Sequence, residues 1–299
     1  MKVFVTGATG FIGSAVVDEL LSNGHQVLGL ARSEASAKKL KAAGAEPVYG
    51  NLTDFESLKK GAQDADAVAH LGFIHDFTRF AEVCEIDRKV IESIGESLVG
   101  TTKPFIVTSG TGIIRKEGVV TEHDPVVATP NPRTATELAV NAVANKGVRA
   151  SVVRFPPSVH GVGDTKGFVP IYIGIAGEKG MAAVVNEGRN VWPAVHRLDA
   201  AKVFRLALEK NPNPRTRYHA VTEQGVPMKD IAHLIAERLQ IPFKNINEQE
   251  AEAYFAWFTH FAMFDNASSG EWTQQELNWK PGHPTLLEDL KSDVYFKEE

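Results

Sequence analysis

Cysteine is almost missing from this sequence. Cys84 is the single one in 299 residues, which excludes an intramolecular disulfide, fits a reducing compartment and leaves Cys84 as a small buried hydrophobe. No apolar run approaches the ~18 residues that span a bilayer, and Met1 leads straight into a strand-like run, leaving no room for a signal peptide. Basic stripes are absent and the formal net charge is only −5, so neither nucleic acid nor an anionic membrane is an expected partner. The ten histidines show no zinc-ligand spacing, and no metal is expected. None of the five tyrosines stands four positions before a lysine. These absences predict a soluble, cytoplasmic protein that acts on a small molecule.

What is present begins at once. Lys2 to Thr6 is a β-branched and aromatic run that suits a buried parallel strand, and Phe11 to Leu21 has helical apolar spacing. Between them, Gly7 permits a tight turn, Gly10 lets backbone approach a pyrophosphate, and Gly13 allows the helix to pack close. The helix N-terminus then offers free N–H groups and a partial positive charge to an anion. Gly7, Thr9, Gly10, Phe11 and Ile12 are the expected pyrophosphate contacts of a dinucleotide.

Strand-like runs recur at 26–30, 46–49, 67–71, 104–108 and 150–154, separated by helical patterns. This predicts an α/β fold with a Rossmann-type doubly wound parallel sheet. Gly24, Gly44, Gly61 and Gly147 fall where helices should stop. After Pro156 six glycines break the pattern into short pieces, the chain returns to the sheet at 217–221, and helices follow near 228–239, 248–264 and 284–290. The expected division is a cofactor domain at 1–156 and 196–222, and a smaller, mainly C-terminal substrate-binding part at 157–195 and 223–299.

The Thr-Gly-x-x-Gly-x-x-Gly spacing at Thr6 to Gly13 resembles the extended short-chain dehydrogenase/reductases, the epimerase/dehydratase-like proteins. Further segments agree in order: Gly50-Asn51-Leu52-Thr53-Asp54, His70-Leu71-Gly72, Val153-Arg154-Phe155-Pro156 and Leu277-Asn278-Trp279-Lys280-Pro281. The resemblance implies that Asn51 and Leu52 lie by the adenine, although an acidic residue is usual at Asn51. It also implies that Leu71, Gly72 and Pro156 pass the cofactor. The second strand ends at Arg32-Ser33 with no carboxylate at its tip, and a basic residue there accommodates the 2′-phosphate of NADP(H). NADPH is therefore expected over NADH, with Lys38 or Lys39 adding charge.

Members of this family use a Tyr as proton donor and a Lys one helical turn later. Aligning Glu137 with the Glu that often follows that Lys puts Thr129 at the Tyr position and Arg133 at the Lys position, the mark of an atypical subgroup. Arg133 is a candidate to hold the nicotinamide ribose or polarise an oxygen. Ser109 and Thr111, after the fifth strand, resemble the stretch that bears the substrate-binding Ser. His75, on the loop after the fourth strand, is a candidate proton donor. His160, Trp192, His196 and Trp257 are expected around an apolar substrate pocket, Asp199 is an expected N-cap or ion-pair partner, and His123 sits in an acidic loop. The leading expectation is an NADPH-dependent reductase of a carbonyl or polarised double bond in a small apolar or aromatic molecule. A silent NADP(H)-binding redox sensor and an epimerase/dehydratase-type enzyme stay open. A homodimer follows only by analogy.

Overall fold

Successive side chains of a strand alternate between faces, and the first strand, β1 (Lys2–Thr6), already shows that both faces of the sheet need cover. Val3 and Val5 join one apolar cluster while Phe4 joins another. In the computed structural model, which describes residues 1–296, alternating helices and strands provide that cover. After β1 come α1 (Phe11–Ser22), β2 (Gln26–Ala31), α2 (Glu34–Ala43), β3 (Glu46–Tyr49), α3 (Phe55–Gln63), β4 (Ala67–His70), α4 (Phe80–Leu98), β5 (Pro104–Gly110), α5 (Ala135–Asn145) and β6 (Arg149–Phe155). The chain continues through β7 (Ser158–His160), α6 (Phe168–Lys179), β8 (Ala182–Val185), β9 (Val191–His196), α7 (Arg197–Lys210) and β10 (Arg217–His219). It ends with β11 (Glu223–Pro227), α8 (Met228–Leu239), β12 (Phe243–Ile246), α9 (Glu248–Phe255), α10 (Thr259–Ala262), α11 (Glu271–Leu277) and α12 (Leu286–Lys291).

Seven strands form one sheet in the order β10-β6-β5-β4-β1-β2-β3, every pair parallel. This is the doubly wound Rossmann-type architecture. Its order reverses between β1 and β4, the switch point outside whose carboxyl ends ligands bind in such folds. Val16 and Leu20 of α1 and Phe204 and Leu208 of α7 cover Val3 and Val5, while Leu58, Ile91, Ile94 and Val143 of α3, α4 and α5 cover Phe4, Phe105 and Val107. A third cluster around Tyr172, Trp192, Phe255 and Phe258 is built from α6, α8, α9, α12 and the small sheets β11-β9-β7 and β12-β8.

Three sequence expectations need correction. Gly61 does not end a helix: it lies inside α3, and a Cβ there would come within 2.5 Å of the Phe4 ring, so it is a packing glycine. The stretch after Pro156 is more regular than its glycines suggest, since Gly174 and Gly177 lie within α6, whose buried Val169, Tyr172 and Ala176 anchor it. The helix expected over 248–264 breaks at Ala256, whose φ is +48°. The break sends Phe255 and Phe258 into the core and leaves Trp257 56% exposed.

Candidate active site

The turn after β1 is shaped by close approach. Gly7, at φ +68°, has no space for a side chain because a Cβ would meet the Gly72 nitrogen at 2.7 Å, and one on Gly13 would meet the Gly7 carbonyl at 2.0 Å. The β1 turn, the Leu71-Gly72 segment and α1 are therefore locked together. Gly10 is the N-cap of α1 with no side-chain cap and no acidic residue in the first turn, so Phe11, Ile12 and Gly13 present N–H groups to an anion. Arg197, at the start of α7, lies 4.9 Å over the Phe11 ring, donates to the Val162 carbonyl at 2.7 Å and has a buried Nε with no partner among the described residues. An uncapped helix N-terminus and an under-used guanidinium beside it fit a pyrophosphate. Thr9, half-buried, belongs to the same turn.

At the neighbouring strand tips, Arg32 is exposed and Ser33 caps α2 by accepting from Ser36 N–H at 3.2 Å. The first carboxylate beyond them, Glu34, accepts from the Tyr49 hydroxyl at 2.8 Å. Asn51 is exposed and its side-chain oxygen accepts from Thr53, while Leu52 packs near Gly72. Pro156 is buried after β6.

The other side of the site is organised by Asp87 of α4. Gly72 N–H donates to Thr6 Oγ1 at 3.0 Å, Thr6 meets His70 Nδ1 at 2.7 Å, and His70 Nε2 meets Asp87 Oδ1 at 3.1 Å. The other Asp87 oxygen accepts from Arg133 Nη1 at 2.7 Å and Thr136 Oγ1 at 2.6 Å. Burial by itself would raise the Asp87 pKa, but the Arg133 charge, His70 and Thr136 together hold it at about 2. Arg133 also donates to the Thr108 carbonyl at 3.4 Å, which puts it at the end of β5. There Ser109 Oγ and Thr108 Oγ1 are buried without partners among the described residues.

Thr111 is a correction. Its buried hydroxyl donates to Asn266 at 2.6 Å and ties the β5 turn to the C-terminal segment. Thr129 accepts from Asn131 N–H at 3.2 Å in its own turn. His75 lies against Phe73 and Phe77, with ring centroids 5.5 and 6.5 Å away. Desolvation, then the Arg133 charge, lowers its pKa, so at neutral pH it holds little of the imidazolium a donor needs. From Phe77 the rings continue to Trp257, stacked at 6.0 Å, and Phe261 at 6.4 Å. An aromatic wall thus joins the loop after β4 to the break after α9.

The remaining pocket candidates sit deeper than expected. Trp192 is fully buried, and its indole donates to the Phe261 carbonyl at 3.2 Å, a core position behind the wall. His160 is buried and bonded to Asp289 at 2.6 Å. His196, the N-cap of α7, stacks on His283 at 4.8 Å, and burial, then His160, lowers its pKa to about 4. Asp199 does not cap α7. It accepts from Gly282 and His283 N–H and pairs with Lys202, pinning the C-terminal segment.

Residues 3–219 match the model of the NAD dependent epimerase/dehydratase family. The chain belongs to that family. It is 49% identical, over 99% of its length and all of the relative's, to an uncharacterised protein of Schizosaccharomyces pombe. It is 27% identical to a 4-hydroxy-2-methyl-3-oxo-4-farnesyl-3,4-dihydroquinoline-1-oxide ketoreductase of Stigmatella aurantiaca, covering 85% of this chain and 78% of that one. Its fold resembles UDP-glucuronic acid 4-epimerase of Bacillus cereus, solved with UDP-glucuronic acid and NAD, at a TM-score of 0.76, 16% identity and 99% coverage of both chains.

In this family member, sequence reasoning misses His70, Asp87, Thr136 and the role of Arg197. Asp87 reads as one more charge on a charged helix, and only its register on the inner face of α4, with Val83, Cys84, Val90, Ile91 and Ile94, marks it as buried. Arg154 reads as a strand residue, yet it is fully buried, bidentate to Glu137 at 2.7 and 2.8 Å, and 3.2 Å from His219.

Proposed function

We propose that this protein is an NADPH-dependent reductase of carbonyl groups or polarised double bonds in small apolar or aromatic molecules. One observation carries the reading: at the end of β5 a buried hydroxyl without a partner among the described residues, Ser109, lies in the strand that also supplies the Thr108 carbonyl to Arg133. The family and the uncapped α1 support a nicotinamide dinucleotide, with its pyrophosphate on Gly10 to Gly13 and beside Arg197. Arg32, with no carboxylate free at the β2 tip, supports the phosphorylated form. When bound, that group supplies the hydride.

In this reading the chain orients and polarises. Ser109 O–H and the Arg133 N–H groups donate to the substrate oxygen as negative charge develops there, and the aromatic wall of Phe73, Phe77, Trp257 and Phe261 excludes water and holds an apolar ring or chain. A guanidinium does not relay protons readily and burial lowers the His75 pKa, so in this reading the proton comes from water. Residues 1–156 and 196–222 hold the cofactor, and 157–195 and 223–299 cover the substrate, the last three lying outside the described residues. Homodimer assembly belongs to the same proposal and is checked by sedimentation.

The test is NADPH oxidation across aldehydes, ketones and enones, with NADPH binding measured in parallel. Turnover of apolar aromatic carbonyls in preference to sugar nucleotides supports the reading. The missing Tyr-x-x-x-Lys pair favours a second reading, a silent NADP(H) sensor, and tight binding without oxidation across the whole panel selects it.

A further inference from the structure

Arg133 follows the Pro130-Asn131-Pro132 loop in a single 3-10 turn, a place where a long, rotamer-rich side chain has no local reason to hold one position. Its position comes from elsewhere in the sequence. Asp87 is 5% exposed and His70 1%, and the hydrogen bonds between them have one assignment that satisfies every member. Thr6 Oγ1 accepts the Gly72 N–H, so its own proton goes to His70 Nδ1. His70 then carries its proton on Nε2 and donates to Asp87 Oδ1. Asp87 Oδ2 accepts from Thr136 and from Arg133, and Thr136 accepts from Arg133 at 2.7 Å. Fully satisfied buried networks of this kind are rigid. Of the five N–H donors that a guanidinium carries, Asp87, Thr136 and the Thr108 carbonyl take three. Phe73 covers one face of the group, with Cζ 4.0 Å from the ring centroid.

We infer that Asp87, braced by His70 and Thr136, is the positioning residue for Arg133, holding its guanidinium at the end of β5 so that two N–H groups remain free for a ligand oxygen. The inference rests on the reductase reading for its consequence, since the oxygen in question is that of the reduced carbonyl. It also ties the position of Arg133 to the β1 and β4 turns, because the line of bonds starts at Gly72.

Two readouts test it on the full-length chain. In nitrogen-15-labelled protein saturated with NADP+, the Arg133 side-chain signals, assigned by their loss in Arg133→Lys, are resolved and show slowed guanidinium rotation. In Asp87→Asn, which keeps the shape and removes the charge, those signals average. Turnover of benzaldehyde with NADPH falls about tenfold or more while KM for NADPH stays within about threefold, as expected when a polarising group is misplaced and cofactor binding is untouched. Should Asp87→Asn fail to fold, Thr136→Val gives the same changes in weaker form, and Thr136→Ser restores wild-type signals. Unchanged Arg133 signals in both Asp87→Asn and Thr136→Val, with or without a lower melting temperature, overturn the inference. So does averaged Arg133 motion with wild-type kcat. If the wild type reduces nothing in the carbonyl panel, the reductase reading fails, while the Arg133 signals still decide whether Asp87 positions it.

Discussion

Replacing Arg32 by Asp tests the choice of dinucleotide most directly. Arg32 is exposed at the β2 tip, and the acidic residue two positions on is engaged by Tyr49, so the substitution breaks no buried pair and leaves the fold intact. A charge-assisted hydrogen bond contributes about 1.5–3 kcal/mol. Exposure puts Arg32 at the lower end, which is about tenfold in affinity. An Asp in its place adds a like charge beside the 2′-phosphate, worth about 1 kcal/mol per unit charge at ~4 Å in water, and accepts the ribose hydroxyls of NADH. Together these shift the NADPH-to-NADH affinity ratio by about a hundredfold, whereas Arg32→Ala shifts it about tenfold. Fluorescence titration of both dinucleotides reads the ratio, and raising the ionic strength reduces the wild-type preference. A ratio that moves less than about threefold in Arg32→Asp refutes the assignment.

Ser109→Ala removes a buried hydroxyl that has no partner among the described residues. Chemical denaturation should show stability unchanged or raised by up to about 1 kcal/mol, while turnover of a found carbonyl substrate falls about tenfold or more; a clear loss of stability instead means the hydroxyl is structural. Arg154→Met leaves Glu137 buried with Arg217, at 3.6 Å, as its remaining cation among the described residues, and should lower stability by about 3–5 kcal/mol, part of which Glu137→Gln restores in the double variant. Burial, then the Arg154 charge, holds the His219 pKa down at about 3. The unfolded chain, with its histidine pKa of ~6.5, therefore binds more protons than the folded one between pH ~6.5 and 3, and stability decreases as the pH is lowered through that window, by about 2 kcal/mol at pH 5 from this residue. Urea midpoints that are equal at pH 7.5 and 5 in wild type and His219→Asn contradict that linkage. Gly61→Ala should destabilise by about 1–3 kcal/mol through overpacking against Phe4, and Phe4→Leu in the same chain should recover much of it; no recovery means the glycine serves its backbone.

The sheet is legible because its signals are local. Strands β1, β5 and β6 announce themselves as apolar runs rich in β-branched residues, and the Gly7-Gly10-Gly13 spacing marks a turn whose close approaches to Gly72 and to the Gly7 carbonyl leave no space for a Cβ. Gly61 misleads because a packing glycine and a helix-ending glycine look alike in one dimension. Only the Phe4 ring, on a strand that starts the chain, tells them apart. The wall of aromatics is legible in composition but not in geometry: one unbroken helix over 248–264 places Trp257 and Phe258 on adjoining faces, whereas the left-handed turn at Ala256 sends one outward to Phe77 and the other inward to Trp192.

The chemistry is harder to read because it depends on partners far apart in sequence. Thr129 and Arg133 draw attention as stand-ins for a Tyr and a Lys. The residue that gives Arg133 its meaning, Asp87, lies 46 positions earlier on a helix whose exposed face is crowded with Glu85, Arg88, Lys89 and Glu92. A phenol and an ammonium can move a proton between them. A guanidinium does not relay protons readily, and this one is held by a carboxylate whose pKa is near 2. Substituting one pair for the other therefore does more than remove an acid. On the proposed reading it exchanges a proton relay for fixed hydrogen-bond donors and charge, which suits reactions whose transition state gathers negative charge on oxygen and takes its proton from water. Proton abstraction asks for a base, which Thr129, Arg133 and Ser109 do not offer but the His75 imidazole does, its pKa lowered by burial and by the Arg133 charge; turnover of sugar nucleotides that His75→Ala abolishes would therefore select the epimerase or dehydratase alternative, and turnover of apolar carbonyls that survives His75→Ala would select reduction.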